Sequence, residues 1–438
     1  MTRIEANMRV LGALCLALSL WLSGCAGLVE PPAAPPAYPA IQLPVSEATA
    51  SAWSPPAPSP TPEGPLKLRV WLPPQFDPAS DSAAGMLLQA RLDEFQRRNP
   101  RVSIETRVKA VSGPGGLLDS LTTASAAAPQ ALPDLVALPR DLLETAALKG
   151  LLLPLDNLTT ALDDPDWYAY AASLARLQKN IYGLPFAGDA LVLGYHPTMI
   201  AKPPATFQAV LEAGQPLIFP AAGDQPIFPL ALYSAAGGAV TDKQGRPYLN
   251  SLELTQVLTF YLSAERAGVM PQALLTQFQE EDQVWEAFLG KQANLAVTWS
   301  ARLLGSQAED IALAPIPTPA GKPFTLATGW VWALAGRDEE KRKLTVELAE
   351  FLTEPGFLAT WTQAAGYLPT RPSSLGSGSN AASKKTIGTI ALSAQLLPPI
   401  DVLSSLGNSL QQAVLAVLKG QSDPASAAQT AANSLTGP

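Results

Sequence analysis

The residues from 66 to 138 change repeatedly between the period of a strand and the period of a helix. Stretches of strand-like alternation are followed by the three-to-four spacing of apolar residues that marks a helix, and Pro or Gly residues separate the segments. The segments in order are a strand at Leu66–Leu72, a helix at 85–98, a strand at Val102–Val108, a helix at 117–127 and a strand at 133–138. This order predicts an α/β fold with right-handed crossovers between strands of one sheet.

Length and charge narrow the class of protein. A chain of 438 residues exceeds what one hydrophobic core usually serves, so we expect two lobes. Charged residues make up 15% of the chain and apolar residues 47%, which is typical of a globular protein. The net charge of -8 and the pI near 4.9 exclude a basic stripe that could neutralise nucleic-acid phosphates.

The N-terminus has the parts of an export signal. Arg3 and Arg9 precede an apolar run over residues 10–22, and small residues lead to Cys25. The run is too short for an ordinary membrane-spanning helix. Its ending, Leu22-Ser-Gly-Cys25, resembles the bacterial lipoprotein signal, in which the Cys becomes the first residue and carries lipid. We therefore predict a signal peptide at 1–24 and lipidation at Cys25.

The cysteine count agrees with lipidation. Cleavage before Cys25 discards Cys15, so the mature chain has one thiol, no internal disulfide and no metal site built from several Cys. The following residues up to 65 are rich in Pro, Ala and Ser and show no apolar period. We expect residues 25–65 to form an extended tether between the lipid at the membrane surface and the globular part.

The central segment, Ile181 to Pro197, joins two apolar strand-like runs through Pro185 and Gly188. It contains one acidic residue, Asp189, in otherwise uncharged surroundings. Such a segment is typical of a strand that crosses between two lobes.

Short motifs from Leu66 to the end of the chain resemble, in their order, those of the extracellular solute-binding proteins of bacterial ABC importers. The most similar subset is the family 1 type that binds maltose and multiple sugars. The motifs are LKLRVWL (66–72), LDEFQRRNP (92–100), PDLV (133–136), GLLLPLD (150–156), YGLP (182–185), LGYHP (193–197), PATF (204–207), FLGKQANLA (288–296), LAPIP (313–317), AEFL (349–352) and GYLPTR (366–371).

The resemblance implies a two-lobed clamp of the periplasmic-binding-protein type II, with mixed sheets and a hinge of two or three crossing segments. It places one lobe at 66–186 and 315–365, and the other at 187–312 and 366–438. A solute that contacts both lobes would favour the closed form. The permease of an ABC importer would then recognise that form. We also expect a monomer without a cofactor.

Sugar sites need aromatic platforms and side chains that hydrogen-bond to hydroxyls. Asp189 matches the position at which sugar binders of this family carry an acid that contacts the ligand. Trp299 follows a predicted strand, and Trp330 follows a Gly, although Trp330 and Trp332 share one strand face that could equally fill the core. Further candidates at the ends of predicted elements are Trp71, Phe76, Ser112 and Tyr367.

Other classes of function remain open at this stage. In the maltodextrin binders that the chain resembles, a Trp on a helix near the C-terminus stacks on the ligand, whereas no Trp follows Trp361 here. An enzyme is the rival class, but the single His196 forms no catalytic or metal-binding constellation, and the acidic run 280–282 is typical of a helix N-terminus. The remaining alternatives are a non-sugar solute such as a peptide, a polyamine or another charged solute, and a ligand sensor or adhesin without a role in transport.

Overall fold

The computed structural model describes residues 65–435, apart from 222, 224, 272–273 and 377–380. The predicted signal peptide, Cys25 and the predicted tether up to residue 64 lie outside the described residues. Within the described part, no helix is both long enough and apolar enough to cross a membrane.

Strands and helices alternate along the described chain. The strands are β1 (Leu66–Leu72), β2 (Val102–Val108), β3 (Leu135–Pro139), β4 (Arg176–Leu177), β5 (Asn180–Ile181), β6 (Leu184–Tyr195), β7 (Leu217–Ile218), β8 (Leu295–Trp299), β9 (Ala312–Ala314), β10 (Thr325–Leu334) and β11 (Ala394–Leu396). The helices are α1 (Ala83–Arg98), α2 (Leu117–Ala127), α3 (Arg140–Leu148), α4 (Ala169–Leu174), α5 (Phe207–Ala213), α6 (Ile227–Ala235), α7 (Ser251–Arg266), α8 (Leu274–Gln277), α9 (Glu281–Leu289), α10 (Ser300–Leu304), α11 (Glu339–Phe351), α12 (Pro355–Ala365), α13 (Ala381–Ser393), α14 (Ile400–Leu418) and α15 (Pro424–Leu435). Short 3-10 turns occur at Pro74–Phe76, Pro129–Ala131, Ala161–Asp163 and Pro372–Ser374.

The predicted α/β fold is confirmed, with one continuous mixed sheet where separate sheets were expected. Its nine strands follow the order β2-β1-β3-β10-β6-β8-β7, with β11 beside β10 and β9 beside β6. The pairs β1–β2, β1–β3, β7–β8 and β10–β11 are parallel. The strand β10 pairs antiparallel with β3 and β6, and β6 pairs antiparallel with β8 and β9. The separate hairpin β4–β5 directly precedes β6.

The central segment forms one strand of 12 residues, β6, where the sequence suggested two runs. Its first part, from Leu184 to Ala190, pairs with β10, and its second part, from Leu191 to Tyr195, pairs with β8. A bulge near Phe186 accommodates the break that Pro185 would otherwise cause in the ladder. Because the strand is covered on both faces, its sequence is almost continuously apolar.

Helix ends follow local sequence signals. Ser82 caps α1 by accepting a hydrogen bond from the backbone N–H of Gly85, and the helix buries Leu88, Leu92 and Phe95 at helical spacing. At the other end of the chain, α14 begins next to α3. The N–H of Ile400, its first residue, donates a hydrogen bond to the Glu144 carboxylate on α3 at 3.1 Å. The helix α14 also contacts α6, α7 and α15.

Two glycines permit close approaches at the centre of the fold. A Cβ on Gly188 of β6 would lie 2.0 Å from the hydroxyl of Tyr170, and a Cβ on Gly366 would lie 2.5 Å from the Cα of Gly305. Gly366 also ends α12 in the left-handed region at φ 72°. Both positions therefore exclude a side chain.

We predict that Gly188→Ala lowers the free energy of unfolding by roughly 1–3 kcal/mol, because the added methyl group displaces a buried phenol. The Tyr170 hydroxyl donates to the carbonyl of Pro369 at 2.7 Å, so displacement also breaks a buried hydrogen bond. Denaturant titration measures the change. The matched control is Gly356→Ala on the exposed side of α12, where a Cβ meets no atom within 4 Å. An equal loss in both variants would contradict this account of Gly188.

Candidate functional site

Asp189 lies on β6 next to the point where the strand changes partners from β10 to β8. Its Oδ1 accepts hydrogen bonds from the Ser300 hydroxyl at 2.7 Å and from the Ala301 N–H at 2.9 Å. The Ser300 hydroxyl oxygen in turn accepts the Ala190 N–H at 3.1 Å. No described residue donates a hydrogen bond to Oδ2 of Asp189. The start of α10 thus holds one carboxylate oxygen, and the other receives no hydrogen bond from the described residues.

The environment of Asp189 changes its acidity. Burial raises the pKa of its carboxyl to about 6. The Ser300 hydroxyl, the N–H groups of Ala301 and Ala190 and the positive charge of Arg302 oppose this rise without cancelling it. Near neutral pH the carboxyl group is mostly ionised. Its negative charge then lies in buried surroundings that stabilise a charge poorly.

Trp299 ends β8 immediately before α10. It pairs with Leu191, which is two residues beyond Asp189 on β6, so the alternation of side chains places Trp299 and Asp189 on the same face of the sheet. The indole is half-buried against the core. The structure therefore brings together two residues that the sequence predicted separately.

Tyr367 reaches the same region from the segment after α12. Its neighbour Leu368 exchanges two backbone hydrogen bonds with Gly188, at 2.8 and 2.9 Å, which places Tyr367 next to Asp189. Burial and the nearby Asp189 carboxylate raise the pKa of the Tyr367 phenol well above its ordinary value, while a hydrogen bond with the Gln75 side chain opposes the rise. The phenol therefore stays protonated and can donate a hydrogen bond.

Glu281 is a residue of this region that sequence reasoning missed. The acidic run does form the start of α9, and a capping box between Glu280 and Gln283 fixes that start. Glu281, however, turns inward, and its Oε2 accepts a hydrogen bond from the Thr298 hydroxyl at 3.3 Å. Burial raises the pKa of its carboxyl to about 7, with smaller upward contributions from Asp189 and Asp282, and Arg302 opposes the rise.

Three other predicted aromatic residues lie in the core. Phe76 is 2% exposed and Trp330 is 8% exposed, and their rings meet edge to face at 5.0 Å. Trp71 is 3% exposed and lies beneath the Lys109 ammonium, 5.1 Å from its ring centre. These three rings offer almost no surface to a solute in this conformation. The further aromatic rings around Phe76 are Phe186, Trp361 and Tyr367, and the last of these connects the cluster to Asp189.

Ser112 is exposed and lies in the loop between β2 and α2. It lines a shallow cavity of about 330 Å³ together with Gly113, Gly116, Asp119 and Lys149. Local sequence does not show whether the loop that contains Ser112 lies close to the other predicted site residues. Among the described residues, none of those other predicted site residues lines this cavity.

A larger cavity of about 540 Å³ lies beside Tyr367. Its walls come from α10, α12, α13 and β9, and they include Leu303, Thr362, Gln363 and Lys384. Among the residues predicted from sequence, Tyr367 is the one that lines it. Asp189 and Trp299 lie outside this lining.

The single histidine is buried and packed inside the fold. His196 is 1% exposed, stacks on Phe288 at 4.3 Å, and directs both ring nitrogens at backbone carbonyls, those of Asp310 at 2.7 Å and Phe288 at 3.0 Å. In the part of the chain that the structure describes, no group of three or more His, Cys, Asp and Glu side chains could hold a metal ion.

Comparison with known proteins identifies a matching protein family. The model of the bacterial extracellular solute-binding protein family matches residues 90–387. No curated protein sequence matched the chain. Solved structures share the fold at low sequence identity.

Three of these structures are named for their sugars. The cyclic α-maltosyl-1,6-maltose binding protein from Arthrobacter globiformis is 19% identical, with a TM-score of 0.69 over 85% of this chain and 98% of that one. A cyclo/maltodextrin-binding protein complexed with maltotetraose is 21% identical, with a TM-score of 0.68 over 86% and 98%. The maltose-binding MalE from Listeria monocytogenes, in complex with maltose, is 16% identical, with a TM-score of 0.68 over 85% and 97%.

We predict that Asp189→Asn becomes more stable relative to the wild type as the pH rises from about 4 to about 7. The folded pKa is raised, so the aspartate contributes stability at low pH that is lost as the pH rises through about 6. Asparagine keeps the Oδ1 acceptor and carries no charge, so the difference in unfolding free energy should grow by roughly 1–2 kcal/mol over this range.

Denaturant titrations at several pH values measure this difference. The control is Asp81→Asn, the same substitution at an exposed position, measured in the same titrations. A pH-independent difference for Asp189→Asn would show that its carboxyl titrates alike in the folded and unfolded chain.

Proposed function

Because the chain belongs to the family of bacterial extracellular solute-binding proteins, we propose that it captures a carbohydrate between two lobes and delivers it to the permease of an ABC importer. The geometry of Asp189 is the observation that carries this proposal. Its Oδ1 is fixed by Ser300 and Ala301, and its Oδ2 receives no hydrogen bond from the described residues. A carboxylate held in this way accepts a hydrogen bond from a hydroxyl group in a defined direction.

Two aromatic residues complete the proposed binding set. Trp299 is half-buried on the same sheet face as Asp189, and an indole that is fixed on one side can stack against the C–H face of a sugar ring. Tyr367 lies next to Asp189, and its protonated phenol supplies a donor. The residues that stay outside the set are Trp71, Phe76 and Trp330, whose rings are buried, and Ser112, which lines a separate cavity.

Carbohydrate is the proposed class of solute for two reasons. An acid beside aromatic rings suits hydroxyl groups and C–H faces, and the structures with the same fold are named for maltose, maltotetraose and a cyclic maltosyl-maltose. Maltodextrin itself is not proposed, since α14 carries Leu406 and Gly407 in its middle and has no Trp there.

We propose that β6 carries the first crossing between lobes. The lobes would comprise 66–186 with 315–365 and 187–312 with 366–438, as the sequence suggests. Strand β6 pairs with β10 on one side of Asp189 and with β8 on the other, so Asp189 lies where the two lobes would meet. A solute held by residues of both lobes favours closure because it makes these contacts together only in the closed form.

We further propose that the protein is exported and held at the membrane by lipid on Cys25, with residues 25–65 as a tether and the globular part outside the cytoplasm. The family is extracellular. The sequence features at residues 1–25 support the lipid anchor, and a monomer is proposed because one clamp suffices to hold a solute.

We predict that Asp189→Asn and Trp299→Ala each weaken binding of the cognate sugar roughly 10-fold or more, because the first removes a charge-assisted hydrogen bond and the second a stacking surface. The empty Asp189→Asn protein should melt no lower than the wild type, and the empty Trp299→Ala protein, which loses a half-buried ring, should lose less stability than a variant that loses a fully buried ring. Phe76→Ala provides the contrast, since loss of this buried ring should cost about 3–5 kcal/mol of stability. Isothermal titration calorimetry and thermal melts measure both effects.

The cognate solute can be found by a thermal-shift screen against sugars, polyols, peptides and polyamines. Only a compound that prefers the folded protein raises its melting temperature by mass action. Stabilisation by sugars supports the proposal, and stabilisation by peptides or polyamines alone would contradict it. Release of labelled product from an oligosaccharide would indicate an enzyme, and neighbouring genes for a sensor kinase without permease genes would indicate a sensor.

We predict that Cys25→Ser transfers the protein from the membrane fraction to the soluble extracytoplasmic fraction, because the thiol that accepts lipid is lost. Fractionation followed by immunoblotting measures the distribution. The control is Ser23→Ala, two residues earlier, which keeps a small residue before the cut and should leave the protein in the membrane fraction. Retention of the Cys25→Ser variant in the membrane would contradict lipidation at Cys25.

A further inference from the structure

The phenol of Tyr170 lies where two distant segments of the chain meet. The residue belongs to α4 and is 1% exposed. One segment is β6, where a Cβ on Gly188 would lie 2.0 Å from the phenol oxygen. The other is the segment after α12, where the Pro369 carbonyl accepts a hydrogen bond from the phenol at 2.7 Å. One buried hydroxyl group therefore adjoins both segments.

A backbone bridge also joins the two segments. Gly188 and Leu368 exchange hydrogen bonds at 2.8 and 2.9 Å, and this pair is isolated from any longer ladder. The next residue, Pro369, is held by the phenol, and the N–H of Tyr168 at the start of α4 donates to the Thr370 carbonyl at 3.1 Å. Because the bridge is isolated, these bonds from α4 give the support that a neighbouring ladder pair would otherwise give.

Each residue of the bridge is next to a residue of the proposed binding set. Gly188 precedes Asp189, and Leu368 follows Tyr367. Burial and, to a smaller extent, the Asp189 charge raise the pKa values of the Tyr170 and Tyr367 phenols, so both phenols stay protonated. The spacing between the Asp189 carboxylate and the Tyr367 phenol therefore depends on how firmly the two segments are held together.

The same contacts lie at the proposed boundaries between the lobes. Tyr170 belongs to the first proposed lobe, whereas Gly188 and Pro369 lie a few residues beyond its boundaries at 186 and 365. Both proposed crossing segments therefore pass beside one phenol as they leave the first lobe. A support at this place can keep the two segments together while the lobes change their angle.

We propose that Tyr170 is a positioning residue of the solute site: its hydroxyl holds the two crossing segments at the spacing at which Asp189 and Tyr367 bind one sugar together. This inference rests on the carbohydrate-binding function proposed above and concerns the geometry of its site. Tyr170 is buried beneath the crossing segments, so it acts through Tyr367 and does not itself contact the solute.

Loss of the hydroxyl should affect binding through Tyr367. A phenylalanine ring would fill the same space next to Gly188, but it offers no donor to the Pro369 carbonyl. The segment that carries Tyr367 would then sample more positions in the empty protein, and the solute would have to order it on binding. The affinity should therefore fall through the contact with Tyr367, while the other contacts of the solute stay unchanged.

A double-mutant cycle tests this coupling. Calorimetry on the full-length chain in detergent compares the wild type, Tyr170→Phe, Tyr367→Phe and the double variant. The probes are glucose, galactose, maltose and cellobiose, and the sugar that binds the wild type most tightly is used for all four proteins. We expect Tyr170→Phe to weaken binding roughly fivefold in the wild type and less than about twofold in the Tyr367→Phe background. Equal losses in the two backgrounds would overturn the proposal.

Tyr233→Phe is the matched control. Tyr233 on α6 is 0% exposed, and its phenol donates to the Ala239 carbonyl at 2.7 Å, the same kind of bond at the same distance. It also accepts the N–H of Asn250 at 2.7 Å. Thermal melts should show a loss of stability in Tyr233→Phe, while its affinity for the sugar stays unchanged. If both Phe variants lose affinity alike, the loss at Tyr170 reflects general destabilisation and the positioning role is wrong.

Hydrogen exchange on the empty protein tests the support without a solute. The amides of Gly188 and Leu368 should exchange roughly fivefold faster or more in Tyr170→Phe, and they should keep their wild-type rates in Tyr233→Phe. Unchanged exchange at both amides in Tyr170→Phe would overturn the positioning role. If none of the sugars binds the wild type, the carbohydrate function fails, and the exchange rates still decide whether Tyr170 holds the two segments together.

Discussion

The fold depends on one strand that serves two partners. Strand β6 is hydrogen-bonded to β10 along its first part and to β8 along its second, so a single backbone joins both parts of the sheet. In an antiparallel ladder, a shift in register by one residue would turn every side chain of β6 to the opposite face of the sheet. The register that places Asp189 beside Ser300 is therefore fixed by the same hydrogen bonds that hold the sheet together.

The order of the elements could be predicted from sequence because it depends on local periodicity. The strand, helix, strand, helix, strand order from Leu66 to residue 138 is present in the structure. The central segment was placed in the right position, but its continuity as one strand depends on a bulge near Phe186 that no local pattern indicates. The site could be predicted only in part, since its geometry depends on contacts between distant segments.

Two residues show where local sequence stops being informative. The spacing of Trp330 and Trp332 indicated a shared face, but only the packing of Phe76 against Trp330 identifies that face as core. Glu281 had the sequence signature of an ordinary first-turn residue, and it occupies that first turn. Its side chain is hydrogen-bonded to Thr298, which belongs to another element, β8. Burial raises the pKa of Asp189, and the groups that oppose this rise, Ser300 and Ala301, come from the start of α10. Such partly compensated charge is common in binding sites.

The aromatic cluster around Phe76 has a consequence for the thermodynamics of binding. The Tyr367 ring lies 5.5 Å from the ring of Phe76, which is itself enclosed by Phe186, Trp330 and Trp361. A side chain packed in this way has few rotamers available in the folded protein, and its conformational entropy is lost when the chain folds. A solute that contacts Tyr367 therefore meets a donor already in place, and little further entropy of ordering opposes its association.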